Sequence, residues 1–452
     1  MAESNRKYTN LIPFLPRKVI RWYTDNPGDE VHRHSTMTGI LTCIDISGFT
    51  SLTRKLSEYG REGPEILTTY LNDIFSHLTG RIYAHNGDLL KFAGDAVWVS
   101  LPQDSAFENF SREVFEVVSC FNRDHEEFEH NLRAHIGAEI GQFSLATLGD
   151  PALRLEAEPV GDMVELVWEA TDMAESGQVV VGPRMAERYT HNCSKFRASE
   201  SLSLFDLDLE ATVSSKTITS VNESALPKQI KKIEKYIPGE VVKRILTSKE
   251  TESLQSEFRD VVVMFIRFGL TDPDTNQNRD RQIDTFNLHI KKIFQTIHEL
   301  GGSIARIDPY RREHKLLVLF GAPVKRENSP LKAASCAIRL RQEHNDDFPL
   351  TVGMASGSLF CGEVGSEVRK EYTVMGETVN LAARLMAQAK PSEILLDQKL
   401  RDDLPVSIET DRRVFALKGV GQNITAFSIS AVSEDSYQAS PAQAMVGRKN
   451  DL

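Results

Sequence analysis

Cysteine is scarce in this 452-residue chain. The five that occur (Cys43, Cys120, Cys193, Cys336, Cys361) are scattered and never spaced as CxxC. They support neither a thiolate zinc site nor a disulfide scaffold, and read as free thiols in a reducing compartment. Long apolar runs are also missing. Nothing approaches the roughly 20 residues of a membrane span. The start, MAESNRKYTNLIPFLPRKV, has no long apolar stretch with a small-residue cleavage site. A cytoplasmic protein is therefore expected. Positive charge is in deficit as well: 53 Lys and Arg stand against 64 Asp and Glu, for a net charge of −11. This argues against a nucleic-acid surface or an anionic membrane partner. An anionic small ligand needs only a local basic pocket.

What is present is a long sequence that repeats itself once. The strand-like run GILTCIDI (39–46) leads into SGFTSLTRKL. A stretch with Ile66, Leu67, Tyr70, Leu71, Ile74, Phe75, Leu78 and Ile82 at helical spacing follows, then NGDLLKFAGDAVWVSLP (86–102). The latter reads as a hairpin turning near Ala93-Gly94-Asp95. The second half repeats the strand as DVVVMFIRF (260–268) and the hairpin as GGSIARIDPYRREHKLLVLFGAP (301–323). Its helix carries Phe286, Ile290, Ile293, Phe294 and Ile297. Glycine anchors give a constant offset, since 302 − 87 and 376 − 161 both equal 215. Two copies of a long period mean a duplicated domain.

Each half reads as an α+β plait, with helices on one face of an antiparallel sheet. The expected organisation is an N-terminal segment (1–35), a first unit (36–210), a linker with short helices (211–256), a second unit (257–432) and a tail (433–452). Within the linker, 211–227 is Ser/Thr-rich. The charged run 228–251 is expected as solvated helices broken at Pro238-Gly239.

The two halves differ where chemistry is expected. The first has Asp45 at the end of its leading strand and Asp95 in its hairpin. Two carboxylates from separate elements suit Mg²⁺ or Mn²⁺. Aligned opposite them are Arg267 and Tyr310. The reverse holds on the helix after each glycine. The second half carries Asn380 and Arg384, four apart and so on one helical face, where they can steady a phosphate. The first half has Glu165 and Glu169 there, which would repel it. The complements lie crosswise, so two halves packed about a pseudo-twofold axis make one competent site and one degenerate site.

The segments DISGFT (45–50), LLKFAGDA (89–96), EYTVMGETVNLAARL (371–385) and LKGV (417–420) resemble the motif set of class III nucleotidyl cyclases. The tandem order and the threonine of EYT resemble the soluble, bicarbonate-sensitive adenylyl cyclases. The resemblance covers about residues 35–430 and implies two ferredoxin-like cyclase domains forming an intramolecular pseudo-dimer. It also implies conversion of ATP to cyclic AMP and pyrophosphate, in a chain competent as a monomer.

The resemblance assigns two Mg²⁺ or Mn²⁺ ions to Asp45, Asp95 and the Ile46 carbonyl. It assigns the terminal phosphates to the helix start at Ser47, Gly48, Phe49 and Thr50. Asn380 would orient the ribose, Arg384 would stabilise the α-phosphate and Lys418 would bind pyrophosphate. Arg306 and Thr373 would read the base. The family usually has Lys at the first of these, and Arg is a planar fork, so guanylyl cyclase activity stands as an alternative. A non-catalytic nucleotide-sensing module is another. His135 lies where the family commonly has Arg or Lys near the phosphates. Lys91 is a kept basic residue of the family's regulatory pocket, and Trp168 replaces the other, so bicarbonate activation through that pocket is not expected. The closing MVGRKNDL resembles the opening of AAA-like ATPase modules, which implies a following module in a longer parent chain; a chance match is the other reading.

Overall fold

The run at 39–46 forms the middle of a longer strand, β1 (His34–Ser47), in a computed structural model. The structure describes residues 8–26, 33–60, 62–125, 131–196, 198–199, 201–207, 230–247, 256–269, 279–310, 313–344, 348–416 and 423–432. After β1 come α2 (Phe49–Ser57), α3 (Gly63–Ala84), the hairpin β2 (Asp88–Ala93) and β3 (Ala96–Leu101), and α4 (Phe107–Asp124). The half continues through β4 (Arg133–Asp150), β5 (Arg154–Val160), α5 (Asp162–Met173), β6 (Val179–Val181), α6 (Pro183–Arg188), β7 (Cys193–Lys195) and β8 (Ser203–Phe205). Ahead of β1 lies α1 (Arg17–Asp25).

The second half opens with α7 (Ile230–Ile233) and α8 (Gly239–Thr247) and repeats the series. It contains β9 (Glu257–Phe268), α9 (Arg279–Glu299), β10 (Ser303–Tyr310), β11 (Glu313–Phe320), α10 (Ser329–Glu343), β12 (Thr351–Gly365) and β13 (Lys370–Met375). It closes with α11 (Glu377–Gln388), β14 (Ile394–Asp397), α12 (Gln398–Asp402), β15 (Ile408–Ala416) and β16 (Asn423–Val432).

The first sheet has the order β2-β3-β1-β4-β6-β8-β7, with β5 also on β4. The second has β10-β11-β9-β12-β14-β16-β15, with β13 on β12. The architecture is the expected α+β plait built twice, with one refinement. The sheets are mixed, because β6 and β14 each join their long neighbour in parallel. A helix intervenes before each of these strands, which is what a parallel crossover requires.

The apolar helical stripes are buried as their spacing dictates. Leu67, Leu71, Ile74, Phe75, Leu78 and Ile82 of α3 pack on the first sheet, and Ile290, Ile293, Phe294 and Ile297 of α9 on the second. The cores are exchanged in part. Phe360, Val364 and Met375 of the second half complete the first core, and Ala146 and Leu148 of the first half complete the second. The long strands β4 and β12, with β13 paired on β12, reach across to do this. The same bond locks each arm: Asn72 Oδ1 accepts from Gly365 N at 3.0 Å, and Asn287 Oδ1 from Gly149 N at 2.7 Å. Both glycines are left-handed, with φ of +136° and +113°.

The N-terminal segment, for which only a boundary was expected, is docked: Leu11, Leu15, Ile20 and Tyr23 are buried. Asp88 caps α1 by accepting from the N–H groups of Arg17 and Lys18 at 3.1 and 2.7 Å. The helices broken at Pro238-Gly239 are present but not simply solvated, since Ile233, Tyr236, Ile237 and Val241 are buried. The repeat itself explains both. Phe14-Leu15-Pro16 and Tyr236-Ile237-Pro238 each precede a helix, at the offset that relates Asp45 to Arg267 (238 − 16 and 267 − 45 are both 222). The Ser/Thr-rich stretch 211–227 and the tail 433–452, with MVGRKNDL, lie outside the described residues. Among the described residues no helix is long and apolar enough to cross a membrane.

Candidate active site

Strand pairing brings the two carboxylates of the first half together. Asp45 sits opposite Ala96 in the β1–β3 ladder, and Ile46 N donates to Asp95 O at 3.2 Å. The tight turn depends on Gly94, whose φ is +81°. Burial, and next the charge of Asp45, push the Asp95 carboxyl up to about 7. Asp45 Oδ1 is buried without a hydrogen-bond partner. A strained carboxylate pair with an orphaned oxygen fits a divalent cation. Among the described residues no group of three or more His, Cys, Asp or Glu side chains could hold a metal. The protein thus offers a partial ligand set, the usual situation for Mg²⁺ completed by substrate phosphates and water.

The helix start beside this pair is built on a glycine cap. Gly48 caps α2 at φ +116°, and a side chain there would meet Leu132. The Phe49 ring is buried and stacks on Phe75 at 5.8 Å, so its role at the site is confined to its backbone. Ser47 Oγ donates to Arg133 O at 3.3 Å.

The second half delivers its groups to the same place. Asn380 Nδ2 donates to Thr50 Oγ1 at 2.9 Å, directly joining α11 to α2. Arg54 and Glu377 pair at 3.2 Å across the same seam. Arg306, buried on β10, donates from Nη1 to Thr373 Oγ1 at 3.4 Å. Its Nη2 stands 3.5 Å from where a Cβ on Gly94 would lie, so the base-reading candidates meet the hairpin that carries Asp95. Burial works against the Arg306 charge, but Asp308, then Glu371 and Asp95, overbalance it and hold the guanidinium protonated.

Several expectations need correction. His135 does not stand free for phosphate. It is the cross-strand partner of Asp45, and its Nε2 lies 3.1 Å from Asp45 Oδ2. Arg384 is exposed and makes no ion pair among the described residues. The apolar neighbours that suggested a buried arginine (Ala382, Leu385) face inward, while Arg384 takes the open face. Lys91 does not present an open cation. It is buried, bonds Glu158 and the Ile307 carbonyl, and lies 3.9 Å from Asp308. Trp168 stands edge-on to Tyr310 at 5.6 Å, so aromatic rings take the degenerate counterpart of the metal turn. Arg267, opposite Asp45, pairs with Glu313 at 3.3 Å. Lys418 lies outside the described residues.

Two charged groups escaped the sequence reading. Lys315 acts electrostatically on Asp95. Asp308 accepts from Arg306 Nε at 3.0 Å. Its counterpart at the constant offset is Ala93, so it is a charge gained by the second half, visible to a comparison that asks for gains as well as losses.

Residues 327–430 match the family model described as Adenylate and Guanylate cyclase catalytic domain. Human Adenylate cyclase type 10 is 27% identical over 387 residues, covering 77% of this chain and 24% of that protein. The mouse protein of the same name is 26% identical over 386 residues, with 77% and 23% covered. The chain spans about a quarter of the length of these relatives. Among solved structures, a class III adenylyl cyclase-like ATP-binding protein from Pseudomonas aeruginosa superposes with a TM-score of 0.55 at 10% identity, covering 83% of this chain and 86% of that one. The second half thus matches a cyclase catalytic-domain model, and the chain is similar over 77% of its length to proteins named adenylate cyclase and, in its duplicated fold, to a class III adenylyl cyclase-like protein.

Proposed function

We propose that the chain is an adenylyl cyclase that converts ATP to 3′,5′-cyclic AMP and pyrophosphate at one site between its halves. The observation that carries this reading is the Asn380–Thr50 bond together with Arg306 at the Asp95 turn. Through these contacts the second half's polar groups meet the carboxylates that only the first half possesses. Asp45, Asp95 and the Ile46 carbonyl would hold two Mg²⁺ or Mn²⁺ ions, which would acidify the ribose 3′-hydroxyl and neutralise phosphate charge. Backbone N–H groups at the start of α2 receive phosphate oxygens. Asn380 orients the ribose so that its 3′-oxygen is in line with the α-phosphorus. Arg384, exposed on the open face, is free to swing onto the α-phosphate, and Lys418 takes the pyrophosphate. Thr373 accepts from the adenine amino group while Arg306 donates to a ring nitrogen.

The pseudo-twofold-related site lacks both carboxylates and carries Glu165 and Glu169 where a phosphate would need cations, so one chain cyclises one nucleotide at a time. Both halves share the chain, so no second copy is required.

The test is cyclic-nucleotide production by the purified chain with ATP or GTP and Mg²⁺ or Mn²⁺, beside Asp95→Ala. Cyclic AMP from ATP, falling on the order of 10²–10³-fold or more in the variant, is expected. Nucleotide binding without product would replace this reading by a sensing module. Cyclic GMP and pyrophosphate from GTP, in preference to cyclic AMP from ATP, would replace it by a guanylyl cyclase.

A further inference from the structure

The base-reading arginine does not stand alone. Its Nε donates to Asp308 Oδ2 at 3.0 Å, and Nη1 to Thr373 Oγ1 at 3.4 Å. Arg306 and Asp308 are 4% and 1% exposed, so the pair is sealed from water. On the far side Asp308 lies 3.9 Å from the Lys91 ammonium. The first half has Lys91 where this half has Arg306, and Ala93 where it has Asp308. The carboxylate therefore accompanies the arginine, not the lysine.

The chemistry gives this pairing a purpose. A free arginine fork is a good guanine reader, because two parallel N–H groups match the O6 and N7 acceptors of that base. The side-on edge of the fork uses Nε, and here Asp308 occupies it. Thr373 draws on Nη1, and Nη2 is directed toward the Gly94 turn. The carboxylate also fixes the plane of the guanidinium, so the fork cannot rotate to present a paired edge. The side edge thus has its Nε–H committed to Asp308 and the end edge has an Nη1–H committed to Thr373, and a fork held this way, with its remaining N–H groups beside a hydroxyl, suits adenine, which offers one ring acceptor next to an amino donor.

We propose that Asp308 is a positioning residue that sets base selectivity: it immobilises Arg306 and withholds the paired edge that guanine would take. This rests on the cyclase reading for its substrate class, but it concerns nucleotide choice and can be read from binding alone. Removing Asp308 frees the fork, and selectivity shifts toward guanine. The shift needs the arginine, because a lysine has no fork to release.

The experiment measures the ATP:GTP ratio, both as kcat/KM for cyclisation and as Kd from displacement of a ribose-labelled fluorescent nucleotide. It is applied to the unmodified chain, Asp308→Ala, Asp308→Asn, Arg306→Lys, and Arg306→Lys with Asp308→Ala. A fall of about 10-fold or more in the ratio is expected for Asp308→Ala, the size of one lost or gained paired contact. Asp308→Asn retains an acceptor oxygen and is expected to recover most of the ratio; where Asp308→Ala does not fold, Asp308→Ser, which is polar but too short to reach Arg306 Nε, takes its place with the same expected fall. In the Arg306→Lys background the Asp308 change is expected to leave the ratio within about 2-fold. An unchanged ratio in Asp308→Ala (or Asp308→Ser), or an equal shift in the Arg306→Lys background, overturns the proposal. Selective binding without turnover overturns the cyclase reading and leaves this one standing. An unmodified chain that binds neither nucleotide overturns both.

Discussion

Burial and the Asp45 charge hold the Asp95 carboxyl at about 7, against an ordinary value of 3.8. Between those values the folded chain keeps a proton that the unfolded chain has released. The stability contributed by this group therefore falls as pH rises from about 4 to about 7. A divalent cation held at Asp95 would bind the deprotonated carboxylate and compete with that proton. Mn²⁺ is expected to raise the melting temperature more at about pH 8 than at about pH 6, as followed by scanning fluorimetry. Equal rises at both values would remove the metal from Asp95.

At this scale the site was legible mainly because the halves could be read against each other. Asp45 and Asp95 stand out when Arg267 and Tyr310 are their counterparts, and Asn380 stands out against Glu165. The contact of His135 with Asp45 required the register of β1 on β4, which composition does not fix. The exposure of Arg384 depended on which face of α11 looks outward. Asp308 hid because it is an addition to one half, two residues from an arginine that already had a role.

Among the elements, the paired bonds at Asn72 and Asn287 hold the long strands of one half against the helix of the other. Each asparagine oxygen satisfies a backbone N–H at a left-handed glycine, where water has only partial access. Asn72→Ala and Asn287→Ala are each expected to cost about 1–3 kcal/mol, the penalty of leaving such a donor unmet. The two sites share no partner, so the double variant should cost the sum within about 0.5 kcal/mol. Urea titrations measure both. A cost near zero for either would mean that the arm is held by its apolar contacts alone. Helix existence, the hairpins and their turn were readable from spacing. The docking of 230–247 was not, because the Lys- and Glu-rich run suggested a solvated surface and masked the apolar stripe of Ile233, Tyr236, Ile237 and Val241.

Over the whole molecule, the exchanged core residues tie the halves into one cooperative unit. Trp98 lies in the first half, Trp22 in the N-terminal segment and Trp168 against Tyr310 of the second half, so tryptophan fluorescence follows the first half and its contacts while far-UV circular dichroism follows both halves. The two denaturation curves are expected to coincide with a single midpoint. A fluorescence transition displaced from the dichroism transition would show that the halves unfold separately. The duplication and its long offset were plain in the sequence. The swap of Phe360, Val364 and Met375 into the other core was not, because an apolar strand does not say whose core it enters.

The covalent joining of the halves has a consequence for dosage. If each half were its own polypeptide, the amount of complete site would depend on encounter, and at low abundance it would rise with the square of the amount made. On one chain the halves meet at an effective concentration set by the connecting segment. The number of complete sites then rises in simple proportion to the number of chains, down to a few molecules per cell.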